Sequence, residues 1–148
     1  NDQMATFLTD SADIARVYYS SKLNLKQRSE LGQFFTPAIV ARFMARQFKN
    51  LSGHIHLLDP GAGIGTLTAA VVEQILANPD QVSSCSITAY EIEPVFLPSL
   101  NQTLTECCAA LNSKGIQADY SLQKENFVTA SGEMNLPLTK KAFPDFTH

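Results

Sequence analysis

The sequence predicts an α/β fold in which a mostly parallel sheet carries helices on both faces and is preceded by N-terminal helices. Three short apolar runs, each typical of a strand, alternate with two longer stretches of helical periodicity. This order favours parallel strands joined by right-handed crossover helices. The 148 residues, 45% of them hydrophobic, are enough for about one domain with its own buried core.

Two helices are predicted before the first strand. Residues 10–22 form the first helix, with Asp10 or Ser11 as its N-cap. One side of this helix is apolar and carries Ile14, Val17 and Tyr18. The second helix starts at Thr36-Pro37, where a capping hydroxyl precedes a proline at the first helical position. It extends to about residue 48 and is expected to bury its large apolar side chains, which are Ile39, Val40, Phe43, Met44 and Phe48.

The strands then alternate with helices. The first strand, at residues 54–59, is predicted to be buried and ends at Asp59. The remaining elements are, in chain order, a helix at 66–76, a strand at 86–92, a helix at 94–114 and a strand near 119–123.

Composition excludes several classes of protein. A formal net charge of −3 gives no basic field, so we expect this segment alone to bind nucleic acid weakly. Three cysteines without a CxxC motif argue against a disulfide scaffold or a zinc site, and they favour a reducing cytoplasm. No apolar run approaches the roughly 18 residues of a membrane span. His54 and His56 have no third ligand near them in the sequence, so no metal site is predicted.

The first predicted strand leads directly into the glycine run Asp59-Pro60-Gly61-Ala62-Gly63-Ile64-Gly65-Thr66. Because ligands of parallel sheets bind beyond the carboxyl ends of the strands, this run is the first candidate site. Gly61 and Gly63 can adopt positive φ and expose bare backbone to a ligand, and Gly65 would let the next helix pack close to the strand. An ordinary tight turn between strand and helix is the alternative interpretation.

The spacing within the glycine run narrows the class of ligand. The run has the form GxGxG and not the GxGxxG of a dinucleotide-binding loop, which argues against a nicotinamide dehydrogenase. It also lacks the Lys-Ser/Thr pair of a phosphate-binding P-loop. An acid at Asp59, with no Lys or Arg in the run, favours a ligand that carries an ammonium group.

Two further candidate pairs lie at the ends of the other predicted strands. Glu91 ends the second apolar run and can accept two hydrogen bonds from a ribose diol, while Ile92 can cover one face of a base. After the third strand, the Asn126 amide can bond to a base edge, with Phe127 stacked on the ring. The alternatives are a plain surface acid at Glu91 and an ordinary core phenylalanine at Phe127.

Three segments together carry a resemblance to a known family: GQFFTP at residues 32–37, the glycine run, and EIEP at residues 91–94. They resemble class I S-adenosylmethionine-dependent methyltransferases and, more narrowly, the adenine-specific DNA methyltransferases of restriction–modification systems. The resemblance covers the chain from about residue 31 onward. It implies a Rossmann-like methyltransferase fold, S-adenosylmethionine as cofactor and DNA as the substrate of the parent enzyme.

The resemblance also implies roles for individual residues. GQFFTP-like segments border the methionine end of the cofactor, the glycine run wraps around it, Asp59 orients the ammonium group, and Glu91 holds the ribose hydroxyls. The candidate cofactor-binding residues are Gln33, Phe34, Phe35, Thr36, Asp59, Gly61, Ala62, Gly63, Gly65, Glu91, Ile92, Asn126 and Phe127. No catalytic residue and no metal ligand is predicted in this chain.

Two departures from the family pattern bear on what this chain can do. The family has Asp-Phe where this chain has Asn126-Phe127, so adenine recognition there would use an amide. The catalytic tetrapeptide, Asn or Asp followed by Pro-Pro-Tyr or Pro-Pro-Phe, is absent, and no Pro-Pro occurs in the sequence. We therefore expect residues 1–30 to form a helical segment and residues 31–148 to be the cofactor-binding half of an incomplete domain, truncated just before that motif. Such a piece would bind S-adenosylmethionine weakly and transfer no methyl group.

Several alternatives stay open at this point. An RNA or protein-glutamine methyltransferase shares the glycine run and the same tetrapeptide, although the GQFFTP segment favours DNA. A non-catalytic, methyltransferase-like domain that binds a cofactor or an assembly partner is a further alternative. For the DNA enzyme, a flipped adenine would be contacted mainly by regions outside this chain, and subunits of a restriction–modification system are further candidate partners.

Overall fold

The computed structural model describes residues 2–22 and 36–129. These residues include four α-helices and three strands: α1 (Asp2–Lys22), α2 (Ala38–Ala45), β1 (Gly53–Asp59), α3 (Thr66–Ala77), β2 (Val82–Tyr90), α4 (Leu97–Ser113) and β3 (Gln117–Gln123). Residues 127–129 are also helical. The predicted site residues Gln33, Phe34 and Phe35 lie outside the described residues. No helix within the described ranges is long and apolar enough to span a bilayer.

The three strands form one parallel sheet in the order β1-β2-β3. Asp59 at the end of β1 is in register with Ala89, and Tyr90 at the end of β2 is in register with Gln123 of β3. The carboxyl ends of all three strands therefore meet at the same edge of the sheet. This arrangement confirms the predicted parallel α/β architecture.

Both crossover helices, α3 and α4, pack against the same face of the sheet. Val72 of α3 and Leu104 of α4 share one core with Ile87 of β2. The predicted parallel sheet with helices is confirmed, and among the described residues both crossover helices lie on this one face. The reason lies in the strand order: both crossovers step in the same direction across the sheet, and right-handed connections then place both helices on one side.

The opposite face of the sheet carries no helix from the described residues. Side chains alternate along β1, so that Ile55 and Leu57 are partly buried while His54, His56 and Leu58 are exposed. The first strand is thus half-buried, and the prediction of a fully buried strand is wrong. Among the described residues, the two histidines are part of no group of three potential metal ligands.

The helix α1 begins at Asp2, well before the predicted start. Asp10 and Ser11 therefore lie inside the helix and cap nothing. The helix buries Leu8 and Ala12, whereas the three residues of its predicted apolar side, Ile14, Val17 and Tyr18, are exposed. Because α1 packs on both α3 and α4, its inward side is set by those helices and not by its largest apolar residues.

The helix α2 is shorter than predicted and is rotated relative to the expected orientation. It buries its alanines, such as Ala41 and Ala45, against Ala70 and Val71 of α3, because small side chains allow the two helices to approach closely. The side chains predicted to be buried are instead exposed, namely Ile39, Val40, Phe43, Met44 and Phe48.

The N-terminus of α2 is capped from α1 and not by its own sequence. The N-cap residue is Pro37 and no local side chain caps the helix, so the predicted capping role of Thr36 is wrong. The Ala38 N–H donates instead to Oδ1 of Asp13, at 3.1 Å. Asp13 also accepts a hydrogen bond from Arg16 at 2.7 Å.

A buried polar network joins the three helices α1, α2 and α3. Glu73 of α3 accepts hydrogen bonds from the backbone N–H (3.0 Å) and the hydroxyl of Thr9, and its other oxygen lies 3.4 Å from Nε of Arg42. Arg42 also donates to Asp10 at 2.9 Å. A buried charge is costly unless it is paired, so separating α1 from α3 would leave the Glu73 carboxylate without its Thr9 partners. The network therefore holds α1 against the helices that cover the sheet.

The remaining element boundaries differ from the prediction by a few residues. The strand β2 runs from Val82 to Tyr90, so Glu91 and Ile92 follow the strand and do not belong to it. Pro94–Phe96 form a 3-10 turn that delays the start of α4 to Leu97. The helix α3 agrees with the prediction to within one residue.

Candidate functional site

The three strand ends surround one cavity of about 440 Å³. Its lining residues are Pro60, Gly61, Tyr90, Glu91, Ile92, Glu125, Asn126, Phe127 and Val128. Five of them are predicted site residues that lie far apart in the sequence, and parallel strand packing brings them together. The volume is within the usual range for a small-molecule site.

Gly61 and Gly63 have different conformations in the loop after β1. Gly63 adopts a positive φ of 57°, as predicted. Gly61 does not, so that part of the prediction is wrong. Gly61 instead faces open space, because a Cβ placed on it would meet no atom within 4 Å. Its missing side chain therefore leaves the cavity open.

Ala62 and Gly65 hold the loop to the rest of the protein. The Ala62 N–H donates to the Tyr90 carbonyl at 3.0 Å, and the Ala62 side chain lies in the core. Gly65 has a φ of 87°, and a Cβ on it would lie 2.8 Å from Cγ2 of Thr103 in α4. A side chain at Gly65 is therefore excluded by α4. The prediction attributed this glycine instead to close packing of α3 on the strand.

The Glu91 carboxylate joins the loop after β1 to the loop after β2. Oε1 accepts a hydrogen bond from the Gly63 N–H at 2.9 Å. Oε2 accepts from the N–H groups of Ile92, at 2.9 Å, and Glu93, at 3.3 Å. A carboxylate offers about four lone-pair positions, so capacity for a hydroxyl donor remains. Glu91 is therefore a fixed, half-exposed acceptor at the wall of the cavity.

Asp59 is a buried carboxylate beneath the same loop, with 6% of its surface exposed. It accepts a hydrogen bond from Oγ1 of Thr68 at 2.7 Å and another from the Gly61 N–H. Burial raises the pKa of Asp59 above its usual value, the nearby Glu91 charge adds to the rise, and the two hydrogen bonds oppose it. Ionisation of Asp59 is therefore less favourable than ionisation of an exposed aspartate unless a cation lies nearby.

Asn126 and Phe127 form the third side of the cavity. Oδ1 of Asn126 accepts hydrogen bonds from the backbone N–H groups of Val128 (2.9 Å) and Thr129 (3.4 Å). The amide oxygen therefore caps the turn that follows β3, which leaves the Nδ2 group as the donor toward a ligand. The Phe127 ring packs edge-on against Tyr90, with ring centroids 5.1 Å apart.

Some predicted site residues do not line the cavity. Thr36 is half-buried and is not among the lining residues. Sequence reasoning also missed Tyr90, Thr68 and Thr66, of which Thr66 is the first residue of α3. The Thr66 hydroxyl is buried and has no hydrogen-bond partner among the described residues, which is unusual for a buried polar group. The position of Thr66 directly after the last glycine of the run was the signal that could have indicated it.

Comparison with known proteins gives a family match that covers most of the chain. The sequence model of the N-6 DNA methylase family matches residues 15–139. The chain is 34% identical over 134 residues to the Type II methyltransferase M.PstI of Providencia stuartii, an alignment that covers 90% of the chain and 26% of that protein. It is also 38% identical over 81 residues to the Type II methyltransferase M.BsuBI of Bacillus subtilis, covering 54% of the chain and 16% of that protein. No solved structure gives a significant match.

The chain therefore spans about a quarter of the length of M.PstI and less of M.BsuBI. The family match favours DNA over the RNA and protein-glutamine alternatives, and it agrees with the resemblance found from the GQFFTP segment, the glycine run and Glu91. Since the match extends over residues 15–139, the chain belongs to the N-6 DNA methylase family.

Proposed function

We propose that this chain forms the S-adenosylmethionine-binding half of the methyltransferase domain in a DNA adenine methyltransferase of a restriction–modification system. The observation that carries the proposal is the cavity at the three strand ends, where Gly61, Glu91 and Phe127 lie around one space of about 440 Å³. The family and the Type II methyltransferase relatives supply the reaction class. DNA is accordingly the proposed partner of the whole protein.

The adenosine end of the cofactor fits the part of the cavity formed by Glu91, Ile92 and Phe127. Glu91 has its carboxylate held by three backbone N–H groups and keeps acceptor capacity for a ribose hydroxyl. The Ile92 side chain is 54% exposed and the Phe127 ring is partly exposed, so each can lie against one face of a base. Apolar walls with one fixed polar group are typical of small-molecule sites.

The base edge would be recognised through Asn126 in a manner different from that of an acid. The Asn126 oxygen is engaged in capping the turn at residues 127–129, so its Nδ2 group donates. A donor matches a ring nitrogen of adenine, whereas the carboxylate usual in the family would accept from the exocyclic amine. The Asn126 amide therefore supports adenine binding with a changed hydrogen-bond pattern.

The methionine end of the cofactor fits the other side of the loop. The ammonium group would serve as a cationic partner for the buried Asp59 carboxylate, whose pKa is raised by burial. The first turn of α3 has no side-chain cap, and the buried Thr66 hydroxyl has no hydrogen-bond partner among the described residues. A helix N-terminus of this kind suits a carboxylate. The segment Gln33, Phe34, Phe35 and Thr36 is proposed to border this end on the resemblance alone.

When bound, S-adenosylmethionine supplies a sulfonium methyl group for transfer. The residues of this chain bind and orient the cofactor, through Glu91 at the ribose and Asp59 at the ammonium. None of them is proposed as a group that activates the adenine amine, because the sequence contains no Pro-Pro tetrapeptide. We therefore propose that this chain alone binds the cofactor weakly and transfers no methyl group.

Isothermal titration calorimetry of the 148-residue chain tests the proposal. We expect saturable binding of S-adenosylmethionine with a dissociation constant of about 1 mM. NAD should not bind at the same concentration. The variant Gly61→Val is the sharpest probe, because Gly61 lines the cavity, a Cβ on it meets no atom within 4 Å and its φ is not positive. It should weaken binding at least about tenfold while the unfolding temperature stays unchanged.

Ser121→Val serves as the matched control, since Ser121 is exposed on β3 away from the cavity. Undiminished binding by Gly61→Val would place the ligand elsewhere, and tighter binding of NAD than of S-adenosylmethionine would contradict the proposed cofactor.

A further inference from the structure

The loop after β1 is held from behind by one side chain of α4. Thr103 is 7% exposed, and its hydroxyl lies 2.8 Å from the Ile64 carbonyl, to which it donates. The same hydroxyl lies 3.0 Å from the Ser99 carbonyl one turn earlier in α4. Ile64 stands between Gly63 and Gly65, the two loop residues with positive φ. The contact therefore acts on the most adaptable part of the loop.

Thr103 also packs against the loop sterically. Its Cγ2 and Cβ would lie 2.8 and 3.1 Å from a Cβ on Gly65. Thr103 does not line the cavity, so it cannot itself touch a ligand there. It acts on the site only through the backbone of the loop.

We propose that Thr103 is a positioning residue of the cofactor site, a role that rests on the proposed function of the cavity. Its hydroxyl fixes the Ile64 carbonyl, and this keeps the neighbouring Gly63 N–H aimed at the Glu91 carboxylate, 2.9 Å away. The loop is thus held between Glu91 on the cavity side and Thr103 on the α4 side. Without Thr103, ligand binding must also order the loop, which lowers the affinity.

The variant Thr103→Val removes the hydroxyl and keeps the shape of the side chain. We expect it to weaken S-adenosylmethionine binding about fivefold to tenfold, the effect of about one lost hydrogen bond. Thr103→Ser keeps the hydroxyl and should retain the wild-type affinity. Thr105→Val is the control on the same helix. The exposed Thr105 hydroxyl bonds to the carbonyl four residues back, at 2.8 Å, and to the Tyr120 hydroxyl, at 3.0 Å, without touching the loop.

Amide hydrogen exchange supplies a second measurement that needs no ligand. The N–H groups of Gly63 and Gly65 are bonded to Glu91 and to the Ala62 carbonyl, respectively, so their exchange rates report whether the loop stays fixed. Exchange at both should be at least about fivefold faster in Thr103→Val and unchanged in Thr105→Val. A role of Thr103 in overall stability alone would speed exchange throughout α4 and not selectively at Gly63 and Gly65.

The outcomes separate the two proposals. If the wild-type chain binds no S-adenosylmethionine but exchange at Gly63 and Gly65 still responds only to Thr103→Val, the proposed cofactor is wrong and the positioning of the loop stands. If exchange and affinity in Thr103→Val equal those of the wild type, or if Thr103→Ser loses as much as Thr103→Val, the positioning role of the hydroxyl is refuted.

Discussion

Gly61 and Gly65 lie in one loop, yet each lacks a side chain for a different reason. Gly61 has no positive φ, and a Cβ on it would meet nothing within 4 Å. Gly65 has a φ of 87°, and a Cβ on it would lie 2.8 Å from Thr103. The first glycine leaves room for a ligand, and the second leaves room for α4.

The loop therefore has one side that we propose to bind the ligand and another side that packs against α4. Glu91 and the cavity lie on the first side, while Thr103 and Leu100 lie on the second. Substitutions on the two sides should therefore separate affinity from stability. A single glycine motif in a sequence contains both kinds of position without distinguishing them.

The largest effect is expected for Gly65→Ala. The new Cβ would be strained by the left-handed backbone and would clash with Thr103, so we expect a loss of about 2–4 kcal/mol in the free energy of unfolding. Thermal unfolding followed by circular dichroism should show a midpoint temperature at least about 6 °C below that of the wild type. Gly61→Ala is the control and should change the stability by less than about 0.5 kcal/mol. Equal losses in the two variants would remove the distinction between the two sides of the loop.

An intermediate effect is expected for Glu91→Gln, which acts on the cavity side. An amide cannot accept all three backbone hydrogen bonds that reach the carboxylate, because its NH₂ group donates. We expect about 1–2 kcal/mol lower stability and at least about tenfold weaker S-adenosylmethionine binding by calorimetry.

The matched control for that prediction is Glu93→Gln, since Glu93 is a neighbouring half-exposed acid that does not line the cavity. It should leave both quantities near the wild-type values. A Glu91→Gln variant that lost stability but bound S-adenosylmethionine normally would show that Glu91 supports the fold of the loop and does not bind the cofactor.

The position of the candidate site could be predicted from the sequence because it depends on few physical rules. Parallel strands end at one edge, so residues that follow three separate strands, such as Gly61, Glu91 and Phe127, meet there whatever the details of packing. The exact ends of β2 and α4 mattered little to that conclusion.

The contacts made by helices were predicted poorly, because periodicity identifies an apolar stripe but not the surface that covers it. The helix α2 buries Ala41 and Ala45, while Phe43 is 66% exposed. The choice of face is made by the neighbouring helix, which admits small residues at close approach. The bond from Thr103 to Ile64 joins residues 39 positions apart and likewise depends on how α4 crosses the loop. Likewise, the placement of both crossover helices on one face follows from the strand order and not from any local segment.

The smallest effect on the fold is expected for Asp59→Asn. Burial raises the pKa of Asp59, so the folded protein holds this proton more tightly than the unfolded chain does. The protonated Asp59 side chain therefore stabilises the fold below its ordinary pKa of 3.8, and this stabilisation is lost as the pH rises through the folded-state pKa. At neutral pH the ionised, buried carboxylate lowers the free energy of unfolding. The uncharged variant escapes this penalty, while the Thr68 hydroxyl can still bond to the amide.

We therefore expect Asp59→Asn to be at least as stable as the wild type at pH 7, with the difference vanishing below pH 3.8. Its affinity for S-adenosylmethionine should nevertheless fall, because the ammonium group loses its counter-charge, and wild-type affinity should rise with pH through the pKa of Asp59. Urea unfolding over a pH series and calorimetry at two pH values measure these quantities. A less stable variant with unchanged affinity would make Asp59 a structural residue that supports the loop through Thr68 and Gly61, and the ammonium would need another partner.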